Sequence, residues 1–160
     1  MTPPSPRPCA LSALRTARLC APRLLTAPRD RGEGDFTAWT GAELDSIGGA
    51  EEIEVAPRRS DGSLRDPVTI WVVRSREGIY VRSAVKGRNA AWYRAVRETH
   101  EGRLTAGRVG KDVRFADADP AVNDEVDAAY RRKYRRYAGR ILNSCLTPQA
   151  LSTTLKVDPR

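Results

Sequence analysis

The chain has 160 residues and a net charge of +8, with 40% hydrophobic and 30% charged residues, which is ordinary globular usage for one domain with a buried core. Cys9, Cys20 and Cys145 form no CxxC pair and His100 is the lone histidine, so a zinc set is excluded. No apolar run is long enough to span a bilayer, and the cysteine pattern fits a reducing cytoplasm, so a cytoplasmic protein without a membrane partner is expected.

Residues 1–35 differ in kind from the rest. They hold six prolines, six arginines and no tyrosine or tryptophan. With so little apolar surface to offset the entropy of ordering, they read as a disordered basic extension, and the domain is expected over residues 36–160. Of the 28 basic residues only Lys86, Lys111, Lys133 and Lys156 are lysines. That skew fits GC-rich coding and weakens an inference from charge to nucleic acid, though a basic field still favours anionic small ligands.

Order is expected from Phe36 to Trp39 onward. Thr40-Gly41-Ala42-Glu43 is a capping box that opens a short helix, and Gly48-Gly49 ends it. Ile53-Glu54-Val55 alternates as a strand, and Ser60-Asp61-Gly62-Ser63 is turn chemistry. Residues 68–73 are a β-branched run, expected as a central strand buried on both faces. Glu77-Gly78 turns the chain into a strand over 79–83. A short helix is expected over 90–97. Strands over 102–106 and 112–116 form a hairpin around Gly107 and Gly110. A long helix runs from Asp119, with Pro120 in its first turn, to about Tyr137. Its acidic residues lie early and its basic residues late, which suits the helix dipole. A last strand covers 151–157. Six short strands joined mostly by tight turns point to an antiparallel barrel, closed or split, because closure removes exposed edges.

The segment Ser83-Ala84-Val85-Lys86-Gly87-Arg88-Asn89 joins a strand to a helix start. Two cations, a flexible glycine and free helix amides are the parts of a phosphate site, and Asn89 suits the N-cap. The alternative is a solvated basic loop. Ala91-Trp92-Tyr93 follows one turn later; an aromatic pair beside an anion site suits a flat ring with a phosphate tail, while Trp92 equally suits an anchor for the helix. Tyr130, Tyr134 and Tyr137 share one helical face, which is usual for a core stripe but also lines pockets. No nucleophile–base pair is visible, and His100 reads as a surface or capping residue. A cofactor enzyme needs no such pair.

These residues resemble a bacterial family catalogued as domain of unknown function 2255. The resemblance runs from Trp39 to Val157. It is carried by Trp39 with Glu43-Leu44 and Ile47-Gly48, by Pro67-Val68-Thr69-Ile70-Trp71-Val72-Val73, by Tyr80-Val81-Arg82-Ser83, by Ala91-Trp92-Tyr93 and by Tyr130-Arg131-Arg132-Lys133-Tyr134. More distantly the layout is similar to the deazaflavin-dependent nitroreductases of the FMN-binding split-barrel superfamily. Gly62, Arg65 and Pro67-Val68, then Ser83, Lys86 and Gly87, then Ala91-Trp92-Tyr93, stand at matching places. The spacing from Ser83 to Lys86 is longer than in that pattern, Arg88 replaces its second glycine, and Arg94-Ala95 replaces its Asn-Leu.

The resemblance implies a six-stranded antiparallel split β-barrel with a short helix and a longer C-terminal helix. It also implies an oxidoreductase of small molecules that binds FMN or a deazaflavin and needs no metal. Ser83, Lys86, Gly87, Arg88 and Asn89 would hold phosphate, Thr69 and Trp92 would border the ring, and Tyr130 and Tyr134 would line the substrate side. A homodimer is expected on the same ground. Two other readings stand beside it. One is a non-enzymatic barrel that has lost the cofactor and binds another small anion, favoured by the loop departures. The other is a basic nucleic-acid-binding protein. The latter is disfavoured because the aromatics do not interleave with the cations on a strand platform.

Overall fold

The computed structural model describes residues 38–76 and 78–160. The 1–35 extension and the expected start at Phe36 lie outside the described residues. Six strands, β1 (Glu52–Pro57), β2 (Val68–Ser75), β3 (Gly78–Val81), β4 (Glu101–Ala106), β5 (Val109–Asp117) and β6 (Leu155–Pro159), close into a barrel of order β1-β2-β3-β6-β5-β4. Every neighbouring pair is antiparallel. The expected six-stranded antiparallel barrel is therefore what the chain forms. β1, β4 and β6 alternate buried and less buried positions, as the period of two in a strand requires. Ile53, Val55, Leu104, Val113, Phe115, Leu155 and Val157 fill the lumen. Gly102 in β4 is required by close approach: a Cβ there would stand 2.7 Å from the Ala56 carbonyl oxygen and 3.1 Å from the Phe115 ring.

Helix α1 (Gly41–Gly49) opens on the expected capping box. Glu43 N–H donates to Thr40 Oγ1 at 3.2 Å, and Thr40 N–H donates to the Glu43 carboxylate at 2.9 Å. Leu44 and Ile47 seat the helix on the lumen core, and Trp39 Nε1–H, donating to the Val157 carbonyl at 2.9 Å, fixes its entry. Asp61 accepts from Ser63 N–H at 2.9 Å in the expected turn. α2 (Ala91–Thr99) follows a 3-10 turn at Gly87–Asn89 and ends at His100, which caps it in the left-handed region (φ 57°).

Four expectations need correction. The run 68–73 is not buried throughout: only Val72 and Val73 are buried, because the outward face is exposed at Thr69 and Trp71 is covered on one side only, by the rings of Tyr134 and Tyr137. The long helix over 119–137 is three pieces: a 3-10 turn Pro120–Val122, α3 (Asn123–Lys133) and a 3-10 turn Arg135–Tyr137. It breaks at Tyr134 (φ −103°, ψ 22°), whose side chain is drawn onto β2. Two short helices, α4 (Arg140–Ser144) and α5 (Pro148–Leu151), stand where no helix is expected. The last strand starts at Leu155 and not at residue 151, since Thr153 and Thr154 turn their hydroxyls back to Ala150 and Leu151 carbonyls at 2.7 and 2.8 Å.

A second core lies outside the barrel, between β2, β3, α3 and α4. Val73, Tyr80, Val126, Ala129, Tyr130, Tyr134, Leu142 and Cys145 form it. Among the described residues no helix is long and apolar enough to cross a membrane.

Candidate functional site

A pocket of about 360 Å³ opens where the outer end of β2 meets the segment between β3 and α2. Val68, Thr69, Ile70 and Trp71 supply one wall, Arg82 to Lys86 a second, Ala90 and Trp92 a third, and Ile141, Ser144 and Cys145 of the α4 region a fourth. The exposure of β2 at Thr69 and on the free side of Trp71, which defeats the doubly buried reading, is what leaves room for it. The walls are mostly apolar. Lys86 stands exposed at the rim, and its ammonium has no ion pair or hydrogen bond among the described residues.

The nine residues singled out from sequence are distributed as follows. Thr69, Ser83, Lys86 and Trp92 meet on this pocket. Ser83 is buried, and its N–H donates to Thr153 Oγ1 at 3.0 Å, which fixes the path of the loop. Gly87 is buried at φ +51°, a conformation L side chains rarely adopt, and Gln149 fills the space a Cβ would take. Asn89 is exposed and inside the 3-10 turn; the residue that caps α2 is Ala90, so the expected Asn89 cap is not formed. Arg88 points to another groove, with Nε–H toward Ser152 Oγ at 3.4 Å. Tyr130 and Tyr134 are fully buried behind the pocket and do not line it. Tyr134 stacks in parallel on Trp71, with ring centroids 4.0 Å apart, so it backs a pocket wall. Its hydroxyl accepts from Val72 N–H at 3.0 Å and donates to the Glu51 carbonyl at 2.6 Å. β1 begins at Glu52, and the phenol occupies the place where the β1–β2 ladder runs out. Lys133 Nζ donates to the Val72 carbonyl at 2.6 Å from the same side; burial lowers its pKa to about 8, against a smaller opposing pull from Glu51.

Two functional-looking residues had no role in the sequence reading. Arg82 is 4% exposed and lines the pocket floor. Its guanidinium donates to Asp127 at 2.5 Å, Thr154 Oγ1 at 2.9 Å, the Cys145 carbonyl at 3.1 Å and Asn123 Oδ1 at 3.1 Å. These bonds tie β3, α3, α4 and the approach to β6 into one knot, so Arg82 orders the floor while its charge is spoken for. Cys145 is a buried thiol whose pKa burial pushes up, so it is protonated at neutral pH. The only hint in the sequence was an arginine directly after an apolar strand, which surface arginines share.

The geometry can be set beside known proteins. The profile of a family described as "Uncharacterized protein conserved in bacteria" (DUF2255) matches residues 43–157. The chain belongs to that family. Comparison with curated proteins found no match. Several solved structures are similar to this DUF2255 domain. A conserved hypothetical protein from Mycobacterium tuberculosis is 12% identical, with 80% of this chain and 83% of that chain covered and a TM-score of 0.48. A FAD and heme binding protein from Mycobacterium smegmatis is 15% identical, covering 76% and 66%, at 0.44. A protein titled F420 reductase is 17% identical, covering 72% and 90%, at 0.41.

Proposed function

We propose that this DUF2255 domain binds a flavin or deazaflavin in the pocket beside β2 and acts as an oxidoreductase of small molecules. The observation that carries the reading is convergence. Ser83, Lys86 and Trp92, which local pattern pointed to, and Thr69 of β2, which the resemblance added, line one apolar-walled pocket with a free cation at its rim. The residues fit the group in kind. Trp71, Trp92, Val68 and Ile70 suit a flat, largely apolar ring, and Lys86 suits a phosphate tail. The bound cofactor would supply the hydride chemistry. The chain's own residues would hold and orient it: Tyr134 stiffens Trp71 from behind, and the Arg82 knot fixes the floor.

A second reading, a barrel that binds a small anion without redox chemistry, is favoured by one observation. Arg88 and Asn89 do not line the pocket, which leaves Lys86 as its single rim cation without a partner among the described residues. Titration calorimetry with FMN and with a deazaflavin, beside the absorbance spectrum of the purified protein, separates the two. Under the oxidoreductase reading one cofactor binds, and Lys86→Ala weakens it about tenfold or more, the range for a hydrogen bond to a charged group. Lys86→Ala should leave the melting temperature unchanged, since the side chain is exposed and unpaired. Trp92→Ala should lower both binding and stability, because Trp92 is also core. Wild type binding neither cofactor at high micromolar concentration sinks the oxidoreductase reading. The homodimer belongs to the same proposal. It is supported by Val85 (81% exposed) and Ile141 (60%), apolar side chains at the pocket mouth that a second copy would cover, and sedimentation velocity tests it.

A further inference from the structure

On the other side of the 3-10 turn lies a wider groove, of about 630 Å³, that the cofactor proposal does not use. We propose that it is a separate anion site that takes a di- or triphosphate group. Arg94 and Arg97 project into it from one face of α2, three residues apart, and Arg88 reaches it from the turn before the helix. The opposite side is built from the end of β5 and the chain after it, with Asp117, Pro120 and Asn123, and from Ser152 and Thr154 beyond α5.

The charges do not cancel. Asp117 is the one carboxylate among the lining residues, and it is held by Arg97. Arg88 has only its long contact to Ser152 Oγ, and the Arg94 guanidinium has no partner among the described residues. The groove therefore keeps two uncompensated guanidinium groups. Their planar forks match phosphate oxygens in pairs, and a ligand with two or more negative charges would engage both.

A second, independent feature marks the groove as more than a solvated face. Tyr93 is 5% exposed and lines the groove beside Arg97, and its hydroxyl, which makes no hydrogen bond among the described residues, opens onto the groove. A phenol so placed is free to donate to an acceptor bound in the groove. A phosphate oxygen held by Arg94 and Arg97 is such an acceptor. Arg131 and Arg135 are also exposed but do not line this groove.

This goes beyond the cofactor reading and fails separately from it. The probe is inorganic pyrophosphate, with triphosphate and orthophosphate for comparison, titrated by calorimetry at physiological salt, where diffuse surface attraction is screened. Pyrophosphate should bind once per chain and more tightly than orthophosphate. Arg94→Ala should weaken it about tenfold or more, and Tyr93→Phe several-fold, the latter testing the phenol without removing the ring. Arg131→Ala and Lys86→Ala should leave it unchanged. No saturable binding by wild type overturns the proposal, as does an equal loss in Arg131→Ala, which would mean an undirected field. Loss in Lys86→Ala, or displacement of bound FMN by pyrophosphate, overturns it too, because the two sites would then be one.

Discussion

The lumen of the barrel and the flank behind β2 and β3 are both buried, and they are held together by different physics. The lumen is almost wholly aliphatic and aromatic hydrocarbon, with each strand's own hydrogen bonds closed within the ladder. The flank buries Tyr130, Tyr134, Arg82 and Cys145 and touches Lys133. It does so because the sheet leaves work for side chains there: β1 begins one residue too late to pair with Val72, and the phenol of Tyr134 and the ammonium of Lys133 bond to Val72 instead. A lumen position is defined by shape, so a change in it should be felt as lost volume. A flank position is defined by partners, so the same change in size should be felt only where a partner is orphaned.

The sharpest break comes at the Arg82 knot. Asp127→Ala removes the only acidic partner that a buried guanidinium has among the described residues and should cost about 3–5 kcal/mol, as for a buried charge left unpaired. Chemical denaturation measures it, and a loss below about 1 kcal/mol would show that Thr154, Asn123 and the Cys145 carbonyl suffice for Arg82. In the lumen, Leu104→Ala should cost about 2–5 kcal/mol through a cavity, with no polar consequence.

Next come two tyrosines that differ only in partners. Tyr134→Phe strips a hydroxyl that three backbone groups of Glu51 and Val72 surround, and should cost about 1–3 kcal/mol. Tyr130→Phe removes a buried hydroxyl that, among the described residues, has no hydrogen bond of normal geometry and only a weak approach to the Arg82 backbone, and should be neutral to within about 0.5 kcal/mol or stabilising. Equal losses in the two would dissolve the distinction between the regions.

The smallest effect is a slope. Lys133 is depressed to about 8 in the fold against 10.5 for a free lysine, with burial as the main cause. Between those values the unfolded chain holds the proton and the folded chain does not, so this residue makes stability rise with pH from about 8 toward 10. Below pH 8 both states are charged and the slope vanishes. Lys133→Met should flatten the rise in melting temperature measured from pH 8 to 9.5. An unchanged slope would place the ammonium in water rather than against Val72.

The site was legible to the degree that its signals were local. Lys86 and Trp92 sit a few residues apart beside a helix start, and Thr69 and Ser83 fall in or just after strands that pattern alone marks out. Their meeting on one pocket needed only the barrel to close. Arg88 was misdirected because neighbours on a 3-10 turn project to different sides, and no periodicity tells which side carries the pocket. Asn89 failed as a cap because the 3-10 turn shifts the start of α2 by one residue. Arg82 and Asp127 were invisible as a pair: 45 residues separate them, and each taken alone is an ordinary surface type.

By itself the sequence determined the barrel strands, their turns and the α1 cap. Alternation of apolar residues, turn chemistry and a Thr-x-x-Glu box act within a few residues and carry their own energetic reason. Only the tertiary structure decided where the long helix breaks, which arginine is buried and which face of β2 is left bare. Those outcomes rest on backbone groups that lose their ladder partner, and the side chain that replaces it comes from 62 residues away, at Tyr134. A pattern of period two or 3.6 records which face of an element is buried, but not which distant donor will be needed where a strand runs out.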